Sequence, residues 1–397
     1  MDSVDAAGLG IGDEHPPRIM GVLNVSEESP YDPSVFDDPE EAARYVDEEL
    51  VGEGADIVDI GLESANKRFD VLSEAEELER LHVALETIDR VSGDAVFSIE
   101  TRYAAVAHEA LENGFDLVND VCGFADPEMP AVCRDHDAAV VKMASPPDLE
   151  RPGAVEETDW TARKSPEWAE SADYVDQIYE ALKQNGLTEK TIVDPAFGGW
   201  SEAKTLAHDR ETFHRLREFR ALGRPMLVSI NRKNFLGDLV SQDTDERLPA
   251  SLAATALAVE RGAHVVRTHD VAETRDAAHI GKAFTDRDQV LENGVRVARL
   301  DVESTRDLRA HLREGGVDPS LADEICHQIL EIDGLPPSKR ERVGELAHNT
   351  GATPVELSDG RVLLCATDDQ ASVIFRRFGA SDDDFENLRN GVRRMFE

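Results

Sequence analysis

Residues 19–32 read IMGVLNVSEESPYD, and the fold follows from how this stretch is read. It opens as an unbroken apolar run, the pattern of a strand buried on both faces, and turns polar at Asn24 and Ser26. Working outward, the same order recurs over the next 240 or so residues: a short apolar run, a polar residue at its C-terminal end, an amphipathic helix, then another run. Strands are expected at 55–61, 95–100, 116–121, 138–143, 191–194, 225–230 and 263–268. The intervening helices carry their own signals. Pro39 opens one that Gly54 ends, and Ser73 followed by Glu76 is a capping-box pattern. Eight strand and helix units predict a closed (β/α)8 TIM barrel.

Such a barrel takes about 250 residues, so a chain of 397 leaves room for more. Residues 1–17, rich in Gly, Asp and Pro, are expected to be a flexible N-terminal arm, and residues 18–288 the barrel. Past Arg287 the pattern changes, and residues 289–397 predict a small α/β accessory domain. Within it an edge strand is expected at 295–300, helices at 303–314, 319–332, 369–378 and 383–396, and strands at 353–357 and 362–366.

The chain carries 82 acidic against 42 basic residues, a net charge of -40. Such self-repulsion is tolerated where concentrated salt screens it within a few Å, which predicts a salt-adapted (halophilic) cytoplasmic protein. It also argues against a broad nucleic-acid or anionic-membrane surface. Cys122, Cys133, Cys326 and Cys365 have no metal-binding spacing and read as reduced core residues. No apolar run approaches the about 18 residues a membrane helix needs, and the first residues lack a signal-peptide pattern.

In barrels of this kind the active site lies at the C-terminal ends of the strands, where this sequence puts Asn24, Glu63, Glu100, Asn119, Asp194, Lys233, Arg267 and His269. Amides and carboxylates suit the edge of a flat heterocycle, since each makes paired hydrogen bonds. The cations follow the last two strands, where such barrels often bind phosphate. A heterocycle joined to phosphate is the expected ligand. Plainer roles stand beside these: Asn119 and Asp120 as turn caps, His269 with Asp270 as a structural pair, Lys233 as a surface charge, Glu63 as support for its loop.

These residues carry a resemblance. MGVLNVSEES (20–29), ADIVDIGLES (55–64), FSIET (97–101), LVNDVCG (117–123), VDPAFG (193–198), NRKNFLG (231–237) and RLPASLAATALAVERGAHVVRTHDVAET (247–274) resemble, in order, the signatures of the dihydropteroate synthase family, in a long form with an extra C-terminal domain. The resemblance implies condensation of 6-hydroxymethyl-7,8-dihydropterin pyrophosphate with 4-aminobenzoate or a related arylamine, releasing pyrophosphate in folate biosynthesis, with Mg2+ as cofactor and a homodimer as the assembly. It implies Asn24 near metal and pyrophosphate, and Glu100, Asn119 and Asp194 on the pterin. It implies Lys233 between pterin and arylamine, and Arg267 with His269 on the pyrophosphate, so that Lys233, Arg267 and His269 carry catalysis. A pterin-dependent methyltransferase and a non-catalytic pterin-binding protein share parts of this pattern, but the Arg232-Lys233 pair belongs to the condensing family. Departures fall on the second-substrate side. Ser64, Ala65, Asn66 and Lys67 stand where the family has Ser-Thr-Arg-Pro, Gly198, Gly199, Trp200 and Ser201 replace Gly-Phe-Gly-Lys, and Asn234 replaces a Ser. Glu100 replaces an Asp, and Lys142 sits where a His is common.

Overall fold

The computed structural model of the chain describes residues 3–25, 34–63, 71–146, 155–198, 204–285, 289–292, 295–298, 301–325, 327–332, 335–357 and 362–379. They fall into two compact units, Met1–Arg299 and Leu300–Glu397. Among the described residues, no helix is long and apolar enough to cross a membrane.

The first unit opens with a hairpin, β1 (Val4–Ala6) and β2 (Leu9–Ile11), where a flexible arm was expected. Its turn has Ala7 at φ 50° and Gly8 at φ 90°, the pair of left-handed residues that a tight two-residue hairpin needs. Val4, Ala6 and Ile11 are buried, and they pack with Met20, Ile57, Val96, Leu117, Ile192 and Val265 from the strands that follow. The short alternating run buries one face, and that outweighs its Gly and Asp content.

Eight parallel strands then form the barrel: β3 (Arg18–Asn24), β4 (Ile57–Gly61), β5 (Val96–Thr101), β6 (Leu117–Asp120), β7 (Ala139–Met143), β8 (Thr191–Asp194), β9 (Leu227–Val228) and β10 (Val265–Thr268). They pair in the order β8-β7-β6-β5-β4-β3-β10-β9, and a parallel bridge between Val193 and Met226 closes the ring. Outside run α1 (Pro39–Tyr45), α2 (Glu74–Ile88), α3 (Ala104–Glu112), α4 (Met129–Asp135), α5 (Trp160–Arg163), α6 (Pro166–Ser171), α7 (Tyr174–Lys183), α8 (Leu206–His214), α9 (Asn234–Val240), α10 (Leu248–Glu260) and α11 (Val271–Ala283). The capping box at Ser73 and Glu76 is made in both directions. After α1 the helix widens to a π turn over Val46–Val51, where Gly52 N donates to Asp47 O five residues back.

The floor of the barrel is locked from far along the chain. Arg220 forks Asp13 (Nη1 to Oδ1 3.1 Å, Nη2 to Oδ2 3.0 Å), His264 Nε2 lies 3.1 Å from Asp13 Oδ1, and Lys282 Nζ donates to Asp13 O at 2.7 Å. Burial works to raise the Asp13 carboxyl, and the hydrogen bonds from His264 and Arg220 outweigh it, holding the group well below the usual carboxylate range. Removing one partner of a buried pair costs about 3 kcal/mol. Asp13→Ala is therefore expected to lower the melting temperature by several degrees. The deficit should shrink as pH falls below the ordinary carboxylate range, because a depressed group stabilises above its unfolded pKa and loses that contribution on acidification. An unchanged melting curve at neutral pH would show the lock to be dispensable.

A hairpin, β11 (Gln289–Glu292) with β12 (Val295–Ala298), groups with this unit, whereas the sequence placed the boundary after residue 288. The second unit has α12 (Thr305–Glu314), α13 (Ala322–Ile325), β13 (His327–Ile332), α14 (Pro337–Thr350), β14 (Thr353–Glu356), β15 (Val362–Thr367) and α15 (Asp368–Gly379). Its antiparallel sheet runs β13-β15-β14 and covers Val343, Ala347, Ala371 and Ile374. Residues 319–332 were expected as one helix; only Ala322–Ile325 is helical, after a 3-10 turn, and His327–Ile332 is a strand. Leu330 and Ile332, two apart, pair with Leu364 and Val362 and face the core of this unit, so alternation along HQILEI prevails over the helical spacing it also satisfies. The helix expected at 383–396 lies outside the described residues.

Candidate active site

Strand periodicity builds the site. Met20, Ile57, Val96, Leu117, Ile192 and Val265 form one apolar layer inside the barrel. Two residues further along, on the same face of each strand, stand Val22, Asp59, Ser98, Asn119, Asp194 and Arg267. Two further again come Asn24, Gly61 and Glu100, which register places side by side. The apolar floor thus gives way, one layer at a time, to a polar mouth.

Arg267 links the layers. Its Nε donates to Asp59 Oδ2 at 2.7 Å and its Nη2 to Glu100 Oε2 at 2.6 Å. Burial opposes its charge, but the carboxylates of Glu100 and Asp59 outweigh burial and raise its pKa further. Burial pushes Glu100 up to about 7 against the pull of Arg267, and Asp194 up to about 6 against its hydrogen bond from Ala196 N at 2.8 Å. Burial, then Arg267, lowers the Lys233 ammonium. The same causes, with Lys233 added, bring His269 down to about 3, so His269 is neutral at physiological pH.

The structure brings Glu100, Asn119, Asp194, Lys233, Arg267 and His269 into one electrostatically coupled cluster, with Asn24 at its rim. Asn24 Nδ2 donates to Ser34 Oγ at 3.1 Å. A Cβ on Gly61 would lie 3.0 Å from Asn24 Oδ1 and 4.0 Å from Glu100 Oε1, so these two oxygens border one small space. An amide oxygen beside a carboxylate is a hard donor set, of the kind that holds Mg2+ when substrate phosphates complete it. Among the described residues, no cluster of three or more His, Cys, Asp or Glu would hold a metal by itself.

Other candidates take supporting roles. Glu63 accepts from Arg102 Nη1 at 2.6 Å and from Leu72 N at 3.2 Å, which gives it a supporting role. Asp120, with hydrogen bonds from Cys122 N and Phe124 N, is the turn cap, and Asn119 is not. Lys142 alternates outward from Val141, donates to Gln184 O and Gly186 O, and sits 4.8 Å from the centre of the Phe124 ring. Asp270 pairs with Arg232 (2.8 and 2.9 Å) and Asn231 (2.9 Å), so in the Arg-Lys pair the arginine is structural and Lys233 belongs to the site.

Three residues escaped the sequence reading. Asp59 is wholly buried on β4; a carboxylate two residues after Ile57 in an apolar strand was its signal. Lys204 donates to Asp209 Oδ1 at 2.9 Å and to Ala196 O, bracing the turn after Asp194, in which Ala196 has φ 61°. It supplies a buried ammonium a few residues beyond where the family's lysine was sought. Arg247 donates to Gln242 O, Arg232 O and Asn234 Oδ1, all neutral acceptors. Beside Lys233 opens a cleft of about 270 Å3 lined by Gly198, Lys204, Asp209, Arg232, Lys233 and Arg247 among others, with four cations to one carboxylate. Gly198 is required there: its φ is 122° and a Cβ would stand 3.0 Å from Lys233 Nζ. The departures at Ser64, Ala65, Asn66, Lys67, Gly199, Trp200 and Ser201 lie outside the described residues.

Residues 20–269 match the family model described as pterin binding enzyme. The chain is 37% identical, over 67% of its length, to a probable bifunctional folylpolyglutamate synthase/dihydropteroate synthase of Halobacterium salinarum, and spans 31% of that relative. It is 30% identical to the dihydropteroate synthase of Haemophilus influenzae, over 67% of this chain and 94% of that one. Among solved structures, a dihydropteroate synthase from Coxiella burnetii in complex with pteroic acid superposes with a TM-score of 0.55 at 31% identity, over 71% of this chain and 98% of that one.

Proposed function

Since the chain belongs to the pterin binding enzymes, and among them to the dihydropteroate synthase family, we propose that it joins 6-hydroxymethyl-7,8-dihydropterin pyrophosphate to 4-aminobenzoate. The observation that carries this reading is that Asn119 and the half-buried Arg267 share the Asp59 carboxylate in the barrel mouth, with Asp194 beside them. The Asp194 carboxylate and the Asn119 amide oxygen accept from N–H groups along the pterin edge, and Lys233 lies over the ring. The bond from the pterin methylene to the pyrophosphate oxygen breaks, its electron pair leaving with pyrophosphate. Arg267 faces the charge that grows there and neutral His269 adds a hydrogen bond. The arylamine nitrogen then bonds to the methylene carbon and loses a proton. Asn24 offers its oxygen to Mg2+, which when bound would offset pyrophosphate charge.

The cleft beside Lys233 supports an acidic amine. Lys204 is matched by Asp209 and Arg232 by Asp270, burial disfavours the charge on Lys233, and Arg247 meets only neutral acceptors among the described residues, so a further negative charge suits the site. In molar KCl with Mg2+, pyrophosphate release is expected with 4-aminobenzoate and much less with neutral aniline. Activity and melting temperature are both expected to rise from low salt to molar KCl, because screening relieves the charge of -40. No pyrophosphate release under these conditions would refute the function, and a flat salt curve the salt adaptation.

The barrel is also proposed to pair with a second copy of itself. Leu257 on α10, Ile280 on α11 and Phe284 just beyond are 48%, 58% and 77% exposed on adjoining helices, a surface a monomer gains nothing by showing. Light scattering should give twice the 43.7 kDa chain mass, and Phe284→Glu should halve it. A monomeric wild type would remove the dimer.

A further inference from the structure

Asp59 has no exposed surface, and three side chains converge on it. Ser98 Oγ donates to its Oδ1 at 2.6 Å, while Asn119 Nδ2 and Arg267 Nε share its Oδ2 at 3.0 and 2.7 Å. Ser98 is its register neighbour on β5, Asn119 comes from β6, and Arg267 comes from β10 on the other side of β3. A carboxylate sealed in this way touches no substrate, and whatever it does it does through these partners. Accepting from Asn119 Nδ2 fixes the sense of that amide, so its Oδ1 is turned from Asp59 as an acceptor for a ring N–H. Accepting from Arg267 Nε sets the plane of the guanidinium, with Nη2 on Glu100.

We propose that Asp59 is a positioning residue that makes recognition of the ring and stabilisation of the leaving group interdependent, because a single buried carboxylate orients both Asn119 and Arg267. This rests on the pterin-condensing function above. A plain counter-ion for Arg267 would have no reason to hold Asn119 as well, and the amide would then be free to read the ring in either sense. The shared oxygen refers both groups to one fixed atom, so loss of Asp59 releases the amide and the guanidinium together.

The test is calorimetry in molar KCl with two probes, 6-hydroxymethyl-7,8-dihydropterin and its pyrophosphate. Their affinities give two quantities: binding of the ring, and the advantage the pyrophosphate adds. Asn119→Ala is expected to lower the first and Arg267→Ala the second. Asp59→Ala should lower both, each by about tenfold or more, as expected for losing a hydrogen bond to a charged group. Asp59→Asn keeps an oxygen that accepts from both partners while its amide donates to Ser98, so it should recover part of both losses together; a counter-ion role predicts no such recovery. Loss of only one quantity in Asp59→Ala, or an Asp59→Asn as weak as Asp59→Ala, overturns the proposal. Should Asp59→Ala not fold, Asp59→Asn decides, and a drop in only one quantity, or in neither, overturns it. A wild type that binds neither probe overturns the function itself and this proposal with it, whereas with a wild type that binds both, the Asp59 variants decide.

Discussion

Arg267→Ala is expected to lower kcat by about 10²-fold or more with pterin pyrophosphate, the loss typical of one preorganised charge stabiliser. The loss should fall on turnover more than on KM, since the guanidinium meets more negative charge once the pyrophosphate bond is breaking than before. Lys233→Ala, lacking a ring contact beside the amine, should instead raise KM. Removing Arg267 also strands Asp59, which is fully buried, and Glu100, so the variant should be less stable by about 3 kcal/mol, and kcat must be referred to folded protein. Arg267→Lys separates the two effects. One ammonium returns a charge but does not reach both carboxylates as the fork does at 2.7 and 2.6 Å, so stability should recover more than kcat. Normal turnover of Arg267→Ala in molar salt with Mg2+ would remove the leaving-group site.

Asp194→Ala is expected to weaken pterin binding by at least about 1.5–3 kcal/mol, the value of a hydrogen bond to a charged group. In the wild type, pterin affinity should fall as pH drops through about 6, where Asp194 takes up a proton and stops accepting from the ring. That acid limb should vanish in the variant, while a step nearer 7 from Glu100 remains. The sign for stability is opposite. A carboxyl raised by burial penalises the folded state in full above its folded pKa of about 6, and the penalty fades as pH falls from there to the ordinary carboxylate value, so Asp194→Asn should melt no lower than wild type at pH 7.5. Unchanged pterin affinity in Asp194→Ala, or a lower melting temperature in Asp194→Asn, would contradict this account of the site.

The barrel was legible because its signal is repeated eight times, and because a strand buried on both faces has few other readings. The mouth was legible for a related reason: each strand ends where polarity begins, which exposed Asn24, Glu100, Asn119, Asp194, Arg267 and His269. Asp59 was hidden by the same rule, since it lies mid-strand and its partners come from three different strands. Lys204 and Arg247 act across turns and loops, where sequence spacing says little about distance. Residues 4–11 and 327–332 were misread for local reasons. Three-residue strands are too short to show a period, and HQILEI satisfies two periods until a partner strand selects one.

The lock on Asp13 also constrains the order of assembly. Its partners lie 207, 251 and 269 residues further along the chain. At synthesis rates of about 5–20 residues per second, the last of them emerges on the order of 10–50 s after Asp13 itself. Through that interval Val4, Ala6 and Ile11 have no finished cavity to enter, and the nascent hairpin must wait, with apolar residues unburied, for a closure it cannot hasten. The opening strands of this polypeptide are therefore among its last pieces to settle, and a ribosome paused before residue 282 would carry a barrel still unsealed at its base.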